Sequence, residues 1–381
     1  MRILYLAADA VPAPKGAAVR IRTTVRIMRE LGHEVELFTP AGAAEAEHET
    51  VALGEGGFLE RMMALRKAAE DWLRGRRADL VQFRGIWEGV PALAWARRSG
   101  AAAALEAHGF PSIELHYHFE ALAAEPRVLR KIIAEEQAVL GGVDRVVTPS
   151  ATGARFLEMR GVRPERIDII PNAVDPELFS PGPVPPPDGA PLRLVYAGTL
   201  SPWQGLSTLL EAMERLRGGA GVELHVVGPA KSAWREEVRA VARRLRVHHA
   251  LHLSGSMDQA DLVPVLRTAH ACVAPLPADP RNSVQGCCPI KILEYMAAAR
   301  PILSTGIAPV LEILSHGKTA WLVEPGSPAA LAEGIAWMRA HPTEREEMGG
   351  RAREEALARW TPAHFRGRLR EALDRLAKRV I

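Results

Sequence analysis

Short unbroken apolar blocks punctuate this chain, and each is followed by a stretch with helical spacing. Residues 2–8 are the first block, a run of strand length. Residues 19–31 then show apolar positions every three or four residues and stop at Gly32 and His33, as a helix ending in glycine does. Residues 34–38 resume as a strand, completing a βαβ unit with a glycine-containing loop. Further strands are predicted at 80–83, 102–106, 145–148 and 168–170, with helices at 58–73, 87–97 and 128–140. This alternation is that of an α/β domain with a parallel sheet.

Residues 181–191 contain six prolines, which excludes a regular helix or a central strand and predicts an interdomain connector. The alternation restarts beyond it, with strands at 192–196, 223–227, 251–253, 271–274 and 301–304 and helices between them. The expected organisation is therefore a first domain over 1–180, a linker over 181–191 and a second domain over 192–360. A charged amphipathic helix over 361–381 is expected to return toward the first domain. Two such halves predict a cleft bordered by the C-terminal edges of the strands, where open α/β sheets bind ligands.

Composition changes this picture little. A chain of 381 residues, 48% hydrophobic, is long enough for two cores, and 24% charged residues is ordinary for a globular protein. The net charge of +3 permits anionic ligands without requiring nucleic acid, and no basic–aromatic recognition pattern appears. Cys272, Cys287 and Cys288 suit neither a disulfide framework nor a common zinc or redox motif. The first apolar run is cut short by Asp9, unlike a signal peptide, and no apolar segment reaches spanning length. A cytoplasmic protein is the expectation.

Chemistry concentrates at two places in the second half. Ala197-Gly-Thr-Leu-Ser-Pro-Trp-Gln-Gly-Leu206 joins a strand to a helix, a junction that presents free backbone N–H groups to an anion, yet it contains no Lys or Arg. Pro289-Ile-Lys-Ile-Leu-Glu-Tyr-Met-Ala297 begins a helix just after Gly286-Cys-Cys288, with Lys291 and Glu294 on one face. A plain surface ion pair is the alternative reading of those two residues.

The run from Arg281 through Gly286 to Glu294-Tyr-Met-Ala297, Arg300-Pro-Ile and Pro309-Val-Leu-Glu312 resembles the donor-binding region of family 4 (group 1) glycosyltransferases. The resemblance extends to Pro14-Lys-Gly16, His108-Gly109, Thr148-Pro-Ser150, Ile170-Pro-Asn-Ala-Val-Asp175, Tyr196-Ala-Gly198 and Leu322-Val-Glu-Pro-Gly326. It implies a GT-B fold, two Rossmann-like domains facing across a central cleft. It also implies retaining transfer from a nucleotide sugar (UDP-, GDP- or ADP-linked) to an acceptor, with no cofactor and no obligatory metal.

By that resemblance Glu294 receives the donor ribose hydroxyls, a role a carboxylate can fill. The family's other glutamate falls at Gly286, so backbone around Gln285, Gly286, Cys287 and Cys288, or the Gln285 side chain, is expected to hold the sugar. The family's two loop cations are replaced by Thr199 and Gln204, beside Gly198 and Gly205. Lys291, Arg281 and Lys15 are the candidates to balance the diphosphate, and Gly16 is expected to let backbone approach the ligand. His108 is placed near the reacting centre and is, with Lys291, the candidate catalytic residue.

Glu106 and Glu114 are acceptor-side candidates, with an ordinary exposed carboxylate as the alternative. His116 and His118 alternate like ligands on a strand, but no metal motif completes them. Trp203 is expected to be a buried structural indole. Arg22, Arg26 and Arg29 form a basic stripe beside Arg20, with Arg66 and Lys67 later, suited to peripheral contact with anionic lipid or to a solvated face. The rival functions are a sugar-nucleotide 2-epimerase and a catalytically reduced nucleotide-sugar-binding protein.

Overall fold

The computed structural model describes residues 1–11, 15–40, 49–51, 56–183, 191–217 and 221–380. Pro14 and residues 184–190 of the expected connector lie outside the described residues. The chain divides into two units. The first holds Met1–Pro171, Val284–Cys287 and Phe365–Ile381, and the second Asn172–Ser283 and Cys288–His364.

The first unit is built on β1 (Arg2–Leu6), β2 (Glu34–Pro40), β3 (Glu49–Val51), β4 (Leu80–Phe83), β5 (Ala102–Glu106), β6 (Arg145–Thr148) and β7 (Ile167–Ile169). All pair in parallel, in the order β3-β2-β1-β4-β5-β6-β7. Ile3 to Leu6, Leu80, Val81 and Phe83 are buried, as strands covered by helices on both faces must be. Strand order reverses between β1 and β4, so ligand-binding loops are expected beyond those two C-terminal ends.

The second unit repeats the plan with β8 (Leu192–Ala197), β9 (Val222–Val227), β10 (Leu251–Ser254), β11 (Ala271–Ala274), β12 (Ile302–Thr305) and β13 (Trp321–Val323). Their order is β10-β9-β8-β11-β12-β13, again all parallel, with the reversal between β8 and β11. Tyr295 Oη accepts from the Ala197 backbone N–H at 2.7 Å, fixing the helix Ile290–Ala297 to the end of β8.

Three sequence expectations need correction. Residues 111–118 form a helix, Pro111–His118, so His116 and His118 do not alternate on a strand. Proline at its first position favours that helix. Arg20 is not part of an exposed stripe; it is 4% exposed, on the buried face of the helix Gly16–Glu30. Nor is Glu106 an ordinary exposed carboxylate, being fully buried. The remaining stripe is partly engaged: Arg26 pairs with Glu30 at 2.6 Å and Arg29 donates to the Val35 carbonyl, while Arg66 grips Glu135 with two hydrogen bonds.

Candidate functional site

In the first unit, the C-terminal edge of the sheet carries a buried polar cluster centred on Glu106, the last residue of β5. Its carboxylate accepts from Tyr5 Oη at 2.5 Å and Gln82 Nε2 at 3.0 Å on one oxygen. The other oxygen accepts from Arg20 Nε at 2.7 Å and meets His108 Nε2 at 2.8 Å. Arg84 Nη1 stands 4.0 Å away. Burial opposes the charge on Glu106, but Arg20, the His108 hydrogen bond and Arg84 overcome it and hold the carboxyl well below its usual range.

An ionised Glu106 needs donors, so the proton of neutral His108 lies on Nε2 and its Nδ1 keeps a lone pair. Burial, and next the Arg84 cation, push the imidazole down to about 4, so it is neutral near pH 7. The ring remains 21% exposed, enough for a ligand hydroxyl to reach it. None of Tyr5, Gln82 and Arg84 was singled out from sequence. A charged residue ending an otherwise apolar strand, as Glu106 does, is the signal that its partners must be buried with it.

The segment Val284–Cys287 belongs to this unit, with Gly286 at φ +80°. A Cβ there would sit 2.6 Å from Gly153 N and 2.8 Å from Ser150 Oγ, the cap of the helix Ala151–Met159. This accounts for glycine where the family has glutamate: the backbone conformation and the space both refuse a side chain. Gln285 is buried; its oxygen accepts from Phe110 N at 2.8 Å and its nitrogen donates to Glu114 at 3.2 Å. With the carboxamide so engaged, backbone is the part of this segment left for a ligand. Cys287 is half-buried, and Lys15 and Gly16 are exposed where the first helix begins.

In the second unit, the Gly198–Gly205 loop leaves β8, makes a 3-10 turn over Pro202–Gln204 and starts the helix Leu206–Arg215. Gly205 lies so close to β11 that a Cβ would fall 1.8 Å from the Pro275 carbonyl oxygen, so only glycine closes this turn. Trp203 is buried, edge-on to Trp234, with the Arg281 guanidinium 4.8 Å above its ring. Asn282 donates to the Trp203 carbonyl at 2.9 Å, bracing the loop from the turn that carries Arg281.

Lys291 brings to this loop the cation its own sequence lacks. Its Nζ donates to Tyr196 Oη at 2.8 Å and to Gln204 Oε1 at 2.5 Å, and lies 4.0 Å from the Tyr196 ring centre. A Cβ on Gly198 would be 2.8 Å from that ammonium. The surface-pair reading of Lys291 and Glu294 therefore fails. Glu294 is 7% exposed and accepts from Gln259 Nε2 at 2.7 Å. Burial raises its pKa, with the Gln259 hydrogen bond and Lys291 acting the other way. Thr199 is half-buried, and its carbonyl accepts from Tyr196 Oη. Cys288, now in this unit, is buried, with its carbonyl held by Asn172 at 2.6 Å. Asn172, Tyr196 and Gln259 thus support the loop and helix, although sequence alone did not mark them for that work.

A family model described as Glycosyltransferase Family 4 matches residues 14–178, and one described as Glycosyl transferases group 1 matches residues 191–341. The chain is similar to D-rhamnosyltransferase WbpZ of Pseudomonas aeruginosa, 29% identical over 42% of this chain and 40% of that protein. It is also similar to the putative colanic acid biosynthesis glycosyltransferase WcaL of Escherichia coli, 25% identical over 55% and 51%. It thus spans about half the length of these curated relatives or less. A D-inositol 3-phosphate glycosyltransferase of Stackebrandtia nassauensis is 24% identical over 92% of this chain and 84% of its own. Among solved structures, sucrose-phosphate synthase from Thermosynechococcus elongatus superposes with a TM-score of 0.83 at 18% identity, covering 99% of both chains. Anabaena HepE, in complex with UDP and glucose, does so with a TM-score of 0.77 at 18% identity, covering 98% of this chain and 99% of its own. The fold is that of the GT-B glycosyltransferases.

Proposed function

The chain belongs to glycosyltransferase family 4, and on that premise we propose that it transfers a sugar from a nucleotide-sugar donor to a saccharide, lipid-linked or small-molecule acceptor, with retention at the anomeric carbon. The observation that carries this reading is the Lys291 ammonium delivered onto the Gly198–Gly205 loop. In this reading the loop and the start of the following helix offer backbone N–H groups to the donor diphosphate, and Lys291 balances its charge. Glu294 accepts the ribose hydroxyls. As the bond from the anomeric carbon to the phosphate oxygen breaks, negative charge grows on the leaving diphosphate, where a fixed cation lowers the barrier. The acceptor oxygen bonds to the same face of the sugar, and its proton passes to the leaving phosphate.

His108, with Nε2–H committed to Glu106, offers Nδ1 to a sugar hydroxyl as an acceptor. HepE was solved with UDP and glucose, which supports UDP-sugars as the first donors to test. The name of WcaL, a putative colanic acid biosynthesis glycosyltransferase, supports saccharides as the first acceptors to test. Among the described residues no helix is long and apolar enough to cross a membrane.

A donor screen that follows nucleoside diphosphate release, with and without acceptor, tests the reading, and His108→Ala sharpens it. Turnover should fall about 10²–10⁴-fold in that variant while nucleoside diphosphate affinity stays within about threefold. In the wild type, the acid limb of kcat should lie near pH 4, where His108 gains its proton, and not near 6.5. Equal losses of affinity and turnover would remove His108 from the reaction.

A further inference from the structure

We propose that Glu223, His225 and His252 form a site for one divalent transition-metal ion, zinc being the best match to their chemistry. β9 alternates Val222, Leu224 and Val226 into the core, which turns Glu223 and His225 to its other face. β10 runs parallel at the sheet edge, in a register that sets His252 against His225. All three side chains therefore share one face of the sheet, with Glu223 toward the start of β9 and the His225–His252 pair midway along the strands. That placement gives the ion a structural task, tying the edge strand β10 to β9.

Each residue can supply one ligand atom, and those atoms lie within 4.8 Å of one another. Glu223 Oε2 and His225 Nε2 are 3.8 Å apart, and the two imidazole centres 4.5 Å. Bonds of about 2.0–2.1 Å in a tetrahedral zinc site place ligand atoms about 3.3 Å apart, so small side-chain rotations close the set around an ion. Water would complete the fourth position. Two imidazoles and one carboxylate suit zinc, cobalt, nickel or copper better than magnesium or calcium.

An ordinary solvated face would leave each polar atom wet or paired. His225 Nε2 is shut off from solvent and has no hydrogen bond within ordinary reach, standing 3.8 Å from the Glu223 carboxylate. Arg193 is paired in register with Glu223, its Nε 3.9 Å from the carboxylate, and is the cation an incoming metal must outcompete.

The test uses the full chain stripped with EDTA and titrated with Zn²⁺ by calorimetry, with Co²⁺ absorption as a probe of coordination. One ion should bind per chain with micromolar or tighter affinity, Co²⁺ should give visible bands of a low-coordinate site, and Zn²⁺ should raise Tm. His252→Ala, an exposed position, should weaken Zn²⁺ binding about tenfold or more, as should the isosteric Glu223→Gln, without lowering the metal-free Tm much. Arg193→Gln should tighten it. Absence of stoichiometric binding, or an affinity unchanged in both His252→Ala and Glu223→Gln, would overturn the proposal.

Discussion

Glu106→Ala should destabilise the first unit by about 3–5 kcal/mol, the usual cost of removing one partner from a buried ion pair. It strands Arg20 and Arg84, only 4% and 7% exposed, without their shared anion, and leaves Tyr5 and Gln82 without an acceptor. Chemical denaturation would read this as a lower midpoint at unchanged slope. Because the folded carboxyl is held below its unfolded value, its contribution is complete above the ordinary carboxylate range. It is lost as pH falls through the folded value, so wild type and variant should converge in acid.

Glu106→Gln separates fold from chemistry. It keeps the volume but places an amide N–H₂ among donors, which allows His108 to switch tautomer. We expect a folded protein with about tenfold or more lower kcat, a nearly unchanged donor KM and an altered His108 titration by NMR. A loss below about 1 kcal/mol in Glu106→Ala would mean that the cluster is not the hub of this sheet edge.

Lys291→Ala should lose about 1.5–3 kcal/mol of affinity for the nucleoside diphosphate, roughly 10–150-fold, and little for the nucleoside. The reason is positional: the ammonium lies against Gly198 and is held there by Tyr196 and Gln204. Glu294→Ala provides the contrast, weakening nucleoside and diphosphate alike because the ribose is common to both. Thr199→Arg with Gln204→Lys, which restores the family's loop cations, should recover part of the diphosphate affinity in the Lys291→Ala background. Calorimetry with each ligand pair decides it; equal nucleoside and diphosphate losses in Lys291→Ala would take that lysine out of the phosphate site.

The strands around both candidate sites were legible because buried parallel strands are unbroken apolar runs, such as Ile3 to Leu6 and Leu192–Ala197. β3 and β13, of three residues each, were not predicted. The helix Pro111–His118 was hidden by its mixture of aromatic, acidic and histidine positions, which carries no clear apolar stripe. Lys291 and Glu294 could be singled out by their spacing, but their partners Tyr196 and Gln259 lie 95 and 35 residues away. Glu106 showed the same limit more sharply. Its ligands come from β1, β4, the first helix and the loop after β5, a set that only the folded sheet assembles.

The central claim is sugar transfer itself, and the most direct measurement is proton NMR of a complete reaction mixture containing donor, acceptor and the full chain. The account predicts a glycosylated acceptor formed one-for-one with nucleoside diphosphate, its new linkage carrying the anomeric configuration of the donor. An inverted linkage, an epimerised free sugar appearing without acceptor, or tight donor binding with no product from any acceptor would contradict it.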